Sequence, residues 1–370
     1  MSEASIFTIM SQLAMRHKAI NLAQGFPDFE IDPRLKELLS ETAKSNSHQY
    51  MPSAGYPPLL EKIAALVEDQ YGRESNPATE IVVTAGATQA IFTTIQALVE
   101  PGNEVIILDP AYDCYELPVS LRGAKPVHIP LNDDYSPDWD AIADAANANT
   151  KMLIINNPHN PSGRVWRQHD FIALEQFLDK NPDVLLLSDE VYEHITFEQH
   201  HISALSREKL RNRSITISSF GKSFHITGWK TGYAVAPEHL MRKIKNVHQY
   251  LVFSVNSIAQ VALSDYMDEV KIELLGTFYK QKRDFFRELM KTTRFELLPC
   301  EGSYFQVVSF SGISDESDIE FTKRLVTEHG VAAIPLSGFY TDKKDLQRIR
   351  FCFAKEETTL QRAAELLQKI

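Results

Sequence analysis

Cysteine is scarce and scattered. Three occur in 370 residues, Cys114, Cys300 and Cys352, at wide spacings. An odd, dispersed set excludes a disulfide framework or a cysteine-based metal centre and fits a reducing, cytoplasmic setting. Long apolar runs are missing too, and no window approaches the ~20 residues that a membrane-spanning helix needs. The opening Met1-Ser-Glu-Ala-Ser-Ile-Phe-Thr-Ile-Met10 has an early acid and only a short apolar stretch, so neither signal peptide nor anchor is expected. Basic runs are absent: 38 Lys and Arg against 49 Asp and Glu leave a net charge of −11. That argues against nucleic acid or an anionic membrane as partner. The chain has no internal repeat, no GxxxxGK[ST] loop and no GxGxxG fingerprint, which removes the P-loop and dinucleotide-binding readings.

What is present is an enzyme-sized globular composition, 44% hydrophobic and 24% charged. The length exceeds one ordinary core, so two domains are expected. Apolar spacing predicts helices over 5–18 (Ile6, Ile9, Met10, Leu13 and Ala14 on one stripe), 33–44 and 57–71. Residues 20–29 read as a strand broken by a Gly/Pro turn. From residue 80 to 236 short apolar runs alternate with helical stretches: Glu80–Thr84, Glu104–Asp109, Lys151–Asn156, Val184–Tyr192 and Ser214–Ser218. This alternation predicts an α/β fold with a mostly parallel sheet and ligands at its carboxyl ends. A helical region follows to about residue 290, then a separate α+β pattern in which 347–353 is an alternating strand.

Chemistry-bearing residues fall at those strand ends. Lys222 follows Ser214–Ser218 among small and polar residues, where a planar ligand can approach closely. Desolvation there lowers an amine's pKa and frees it to form a Schiff base. Ala85-Gly-Ala-Thr-Gln-Ala90 leads a strand into a helix N-terminus, whose free N–H groups suit an anion. Tyr112, just past a strand end, can stack on a planar ring or plug a crevice. Asn156-Asn-Pro-His-Asn-Pro-Ser-Gly163 is a stiff turn presenting amide donors. Asp189, ending an apolar strand, is costly to bury without a cationic partner. Arg348 or Arg350 on the late strand can grip a carboxylate with two parallel hydrogen bonds. His194, His200 and His201 have no ligand-like spacing and read as solvated, so no metal is expected.

These segments resemble, in order and approximate spacing over residues 5–355, the class I/II aminotransferases, enzymes of fold type I that use pyridoxal 5′-phosphate. The likeness rests on Asn21-Leu-Ala-Gln-Gly-Phe-Pro-Asp-Phe29, Asn156–Gly163, Ser188-Asp-Glu-Val-Tyr192, Ser219-Phe-Gly-Lys222, Gly228-Trp-Lys-Thr-Gly232 and Arg348-Ile-Arg-Phe-Cys-Phe-Ala-Lys355. It is strongest to the group of methionine and kynurenine–glutamine aminotransferases. The resemblance implies a seven-stranded large-domain sheet and a division into a large domain over 37–272 and a small domain over 273–370, with 1–36 belonging to the small one. It implies Lys222 as the cofactor lysine and proton carrier, Asp189 at the ring nitrogen, and Tyr192 and Asn160 at the ring oxygen. Tyr112 and Val191 would take the ring faces, with Gly86, Ala87, Thr88, Ser219 and Lys230 at the phosphate. Arg350 would hold the substrate α-carboxylate, with Gly25, Phe26, Phe253 and Phe339 around the substrate. Tyr50 would reach the phosphate of a partner subunit, so a homodimer with shared sites is implied. Aspartate aminotransferases carry arginine eight residues past the cofactor lysine, whereas this chain has Lys230, which supplies charge without a planar fork. The implied reaction is ping-pong transfer of an amino group, through aldimine chemistry, from L-methionine or aromatic amino acids to a 2-oxo acid. Kynurenine/glutamine transamination with carbon–sulfur β-lysis of cysteine conjugates is the alternative.

Overall fold

The computed structural model describes residues 5–370; the first four residues of the opening segment lie outside it. In chain order the strands are β1 (Ile20–Asn21), β2 (Ile81–Thr84), β3 (Glu104–Asp109), β4 (Lys125–Pro130), β5 (Thr150–Asn156), β6 (Leu185–Asp189), β7 (Ser214–Ser219), β8 (Gly232–Val235), β9 (Glu296–Leu297), β10 (Phe305–Ser309), β11 (Val331–Ala332), β12 (Ile334–Pro335) and β13 (Arg348–Cys352). Seven of them make one sheet in the order β2-β8-β7-β6-β5-β3-β4. Its pairings are parallel except those of β8, which runs antiparallel to β2 and β7. The α/β class, the fold type I sheet and its mostly parallel character are as expected from the sequence.

The apolar strands are continuous because helices cover both faces. Val105 and Ile107 point to one side, where they pack with Ile91 and Ile95 of the helix Ala87–Leu98 and Ile244 of the helix Glu238–Leu251. Ile106, Leu153 and Leu186 point to the other, against Phe171, Leu174 and Leu178 of the helix Gln168–Lys180. Strand β4 has no counterpart in the sequence reading. Its Lys-Pro-Val-His-Ile-Pro run carries two prolines, which lack a ladder donor, and it occupies the sheet edge where that loss is tolerated.

A second sheet, β12-β13-β10-β9, is antiparallel, and β1 pairs in parallel with β11. The strand expected over 20–29 shortens to β1, and residues 22–29 run on as a loop over the sheet edge. On the first helix, Ile6–His17, Met10 and Ala14 are buried, but Ile9 faces outward. Strand β13 is buried on both faces rather than one: Ile349 and Phe351 enter the aromatic core with Phe286 and Phe321, while Arg350 points into the cavity described below.

Topology brings the chemistry together. The chain leaves β3 outward to β4 and returns inward to β5, so a crevice opens at the carboxyl ends of β3 and β5. The ends of β6 and β7 continue that edge. Because β8 is reversed, it begins on the same edge, and the segment just before it, with Lys230, arrives there as well.

Candidate active site

A cavity of about 260 Å³ opens at this edge, between the large sheet, the 22–29 loop and β13. Of the residues singled out in the sequence, Gly25, Phe26, Gly86, Ala87, Thr88, Tyr112, Asn160, Asp189, Val191, Tyr192, Ser219, Lys222, Lys230 and Arg350 line it. Lys222 lies in a single helical turn, Phe220–Ser223, directly after β7. Enclosure by protein pulls its pKa down to about 8; Arg350 and Lys230 act in the same direction, while Cys352 and Asp189 oppose it. About a tenth of Lys222 is therefore free amine at pH 7, far more than for an ordinary lysine, and a Schiff-base nucleophile reacts in that form.

Asp189 ends β6 and is buried. Its carboxylate accepts from the Tyr115 hydroxyl (2.7 Å) and the Val191 N–H (3.3 Å), yet desolvation still pushes its pKa up to about 6. A cationic N–H donor placed against it would restore the ionised form. Tyr192 follows on the same turn, and burial raises its phenol well above the usual range. Two buried acids brace this turn from behind. Glu190 accepts from Ser188 Oγ (2.7 Å), the Ala204 N–H (2.9 Å) and His201 Nε2 (2.7 Å). Glu193 accepts from the hydroxyls of Tyr71 and Tyr233. The reading of His194 and His201 as solvated is thus corrected: both side chains are buried, because each has a buried glutamate to neighbour it.

Asn160 is held by its turn. Its N–H donates to Asn156 Oδ1 (2.8 Å) and its Oδ1 accepts from Arg350 Nη1 (2.7 Å), which leaves the amide Nδ2 as its free donor. His159, buried and kept neutral with its pKa near 4, ties the same turn to the backbone of Pro110 (3.0 Å), next to Tyr112. Arg350 also donates to the Ala23 carbonyl (2.9 Å) and lies over the Phe305 ring, 3.8 Å from its centroid, while its buried Nε has no partner. Arg348 is excluded from the cavity and donates instead to the Tyr135 hydroxyl.

At the opposite end, Gly86 caps the helix Ala87–Leu98 with φ 80° and ψ 169°, a region essentially reserved for glycine. A Cβ there would stand 3.2 Å from Lys230 Nζ, so the ammonium lies against the bare backbone of the helix N-terminus. First-turn N–H groups plus that ammonium form a cradle for a dianion. Amine, buried carboxylate, the cavity-lining Tyr112 and Val191, and anion cradle together fit a phosphorylated pyridine aldehyde.

Three expected residues do not line this cavity. Phe339 is buried behind it, edge-on to Phe7 (5.4 Å). Tyr50 and Phe253 are 80% and 50% exposed and pack on each other at the surface. In their place Phe7 and Phe305 supply aromatic wall, and Tyr115 holds Asp189. Phe7 had a sequence signal, since helical spacing puts it on one face with Met10 and Ala14. Phe305 and Tyr115 carried no motif signal.

The comparisons with known proteins agree with this geometry. The family model for aminotransferase class I and II matches residues 17–367. Methionine aminotransferase of Escherichia coli (strain K12) is 46% identical over 370 residues, covering 99% of this chain and 96% of that protein. Kynurenine–oxoglutarate transaminase of Dictyostelium discoideum is 33% identical over 411 residues, covering 99% and 94%. The crystal structure of YbdL from Escherichia coli, reported with a methionine aminotransferase function, superposes with a TM-score of 0.97 at 46% identity, covering 99% of this chain and 97% of that one. A lysine amine, a buried carboxylate and an anion cradle on one sheet edge, with a family match over nearly the whole length, make this chain a member of the class I and II aminotransferases, whose cofactor is pyridoxal 5′-phosphate.

Proposed function

We propose that the chain transfers the amino group of L-methionine, and of aromatic amino acids, to a 2-oxo acid. The observation that carries the choice of donor is the charge set of the cavity. Among the described residues its cations are Lys222, Lys230 and Arg350, and each has a task at the cofactor or the α-carboxylate. No further cation lines it to hold a side-chain carboxylate, and Phe7, Phe26, Tyr112 and Phe305 enclose the remaining space. A flexible thioether fills such a space and gains about 0.3–1.5 kcal/mol per sulfur–aromatic contact.

In this reading Lys222 holds the cofactor aldehyde carbon, and Asp189 faces the ring nitrogen. Tyr192 and Asn160 Nδ2 donate to the ring oxygen. Tyr112 and Val191 cover the faces, and Gly86, Ala87, Thr88, Ser219 and Lys230 hold the phosphate. Bound pyridoxal phosphate supplies an electron sink that makes the substrate Cα–H acidic. Arg350 grips the α-carboxylate with its two terminal nitrogens, and the Gly25 backbone closes beside it. The Lys222 amine, with its pKa near 8, would take the proton from Cα. Tyr50 and Phe253, exposed in one chain, serve the site of a second copy, so the working unit is a cytoplasmic homodimer. Phe339 backs the aromatic wall. Residues 37–272 and 273–370, the latter with 1–36, are the large and small domains.

A single half-reaction tests this. Cofactor-loaded protein is mixed with a panel of L-amino acids, without oxo acid, and the cofactor absorbance is followed. Conversion to the amine form of the cofactor, fastest with methionine and then aromatics, is expected. An unchanged cofactor with pyruvate and ammonia released from cysteine conjugates would make the chain a β-lyase instead.

A further inference from the structure

Tyr304 carries no motif signal and does not line the cavity, yet its hydroxyl is within hydrogen-bond distance of the reacting lysine. It follows Ser303, which has φ 63°, and immediately precedes β10. Its backbone carbonyl accepts from the Phe353 N–H (3.0 Å). Its fully buried ring is packed edge-on to Tyr192 (5.1 Å) and Phe305 (4.8 Å) and tilted against Tyr279 (5.7 Å). The ring has no room to turn away. Its oxygen stands 2.6 Å from the Gly25 carbonyl and 2.8 Å from Lys222 Nζ.

Proton counting sets the direction of both bonds. A carbonyl can only accept, so the single phenol proton goes to Gly25. The same oxygen must then accept from Lys222, whose Nζ is also 3.4 Å from the Gly25 carbonyl. The relay runs from the lysine N–H through the phenol to the loop that closes over the substrate. That loop is held at two neighbouring carbonyls as well, by Arg350 on Ala23 (2.9 Å) and Lys355 on Phe26 (2.8 Å).

We propose that Tyr304 is a positioning residue that tethers the side-chain nitrogen of Lys222, when it carries no cofactor, to the Gly25 loop, so that the protonation of the lysine and the seating of the loop are one coupled equilibrium. The proposal rests on Lys222 being the reacting amine. An acceptor that cannot donate back favours the ammonium over the neutral amine. It acts alongside the groups facing Lys222 from every packed element: Asp189 of β6, Arg350 and Cys352 of β13, Lys230 before β8, and Tyr192. When Lys222 leaves the phenol to engage in the cavity, the Gly25 carbonyl keeps only the Tyr304 bond.

The test uses the full chain freed of cofactor. A trace of acetic anhydride is applied from pH 6 to 11, and acetylation of the Lys222 peptide is read by mass spectrometry to give its titration midpoint. Hydrogen exchange of residues 22–29 is followed in parallel. Tyr304→Phe is expected to lower the Lys222 midpoint by about one unit, roughly tenfold in the amine-to-ammonium ratio, and to speed exchange in the loop. Tyr279→Phe is the control, because it removes a neighbouring buried hydroxyl that makes no hydrogen bond; it should change neither readout. An unmoved midpoint or unchanged loop exchange in Tyr304→Phe overturns the proposal, as does an equal effect of Tyr279→Phe. Borohydride reduction of the loaded wild-type protein, with the modified peptide located, reports separately on whether Lys222 carries the cofactor. Failure of that reading is therefore distinguishable from failure of the tether.

Discussion

At Lys222 and Asp189 the fold works against ordinary ionisation, and burial is the largest cause at both. The lysine has its folded pKa near 8 against an ordinary 10.5, so between those values the unfolded chain binds a proton that the folded chain lacks. Stability from this group is fully present above pH 10.5 and lost as pH falls through 8. Asp189 has the opposite sign: its contribution is present below 3.8 and lost as pH rises through about 6. Cofactor-free protein with Lys222→Met is therefore expected to be more stable than wild type at pH 7, with the advantage fading by about pH 10.5. Urea unfolding at the two pH values checks this, and an advantage that stays constant with pH would refute the cause given. Individual residues were legible in the sequence where their chemistry demands a strand end, as with Lys222, Asp189 and Asn160. Tyr115, Tyr304 and Phe305 were not, because a tyrosine or phenylalanine looks the same in sequence whether it fills a core or touches a reacting group.

Elements position those residues through their ends. The helix Ala87–Leu98 offers its N-terminus only because Gly86 adopts φ 80°, ψ 169° and leaves space for Lys230. Gly86→Ala should cost about 2–3 kcal/mol of stability through backbone strain and weaken cofactor binding roughly tenfold or more by displacing the ammonium. Gly72 makes the contrast: it has φ 65° at a helix C-terminus with open space around it. Gly72→Ala should cost only about 1 kcal/mol and leave cofactor affinity unchanged. Thermal unfolding and a cofactor titration of both variants decide whether the strained cap is tied to the ligand. Periodicity exposed most of these elements, since strands covered on both faces read as apolar runs. It passed over β4, whose prolines disguise an edge strand. It also misplaced the histidines after β6, because Glu190 and Glu193 become buried partners only when the sheet and the Tyr71 helix come together.

On the scale of the whole molecule, we propose that exposed Tyr50 and Phe253 serve the site of a second copy. Mixing subunits tests this directly. If Tyr50 serves the neighbouring site, Lys222→Ala and Tyr50→Ala proteins, each impaired alone, form heterodimers with one doubly defective site and one intact site. Unfolding and refolding the mixture at equal amounts should then recover about a quarter of wild-type activity, from random C2 pairing. Recovery no greater than the sum of the parents would place Tyr50 in its own subunit's site. Sedimentation of the mixture confirms that dimers have re-formed.

The sequence by itself determined the α/β class, the strand-end chemistry and the family, because a buried strand must be apolar and a lysine, an aspartate and two Asn-Pro turns must interrupt it at its ends. Only the tertiary structure decided which aromatics touch the cavity, which arginine points into it, and which hydroxyl receives the lysine. Those assignments depend on residues more than a hundred positions apart, such as Asn160 with Arg350 and the Gly25 carbonyl with Tyr304. Their distances are set by the packing of two sheets and a loop, and local spacing does not encode them.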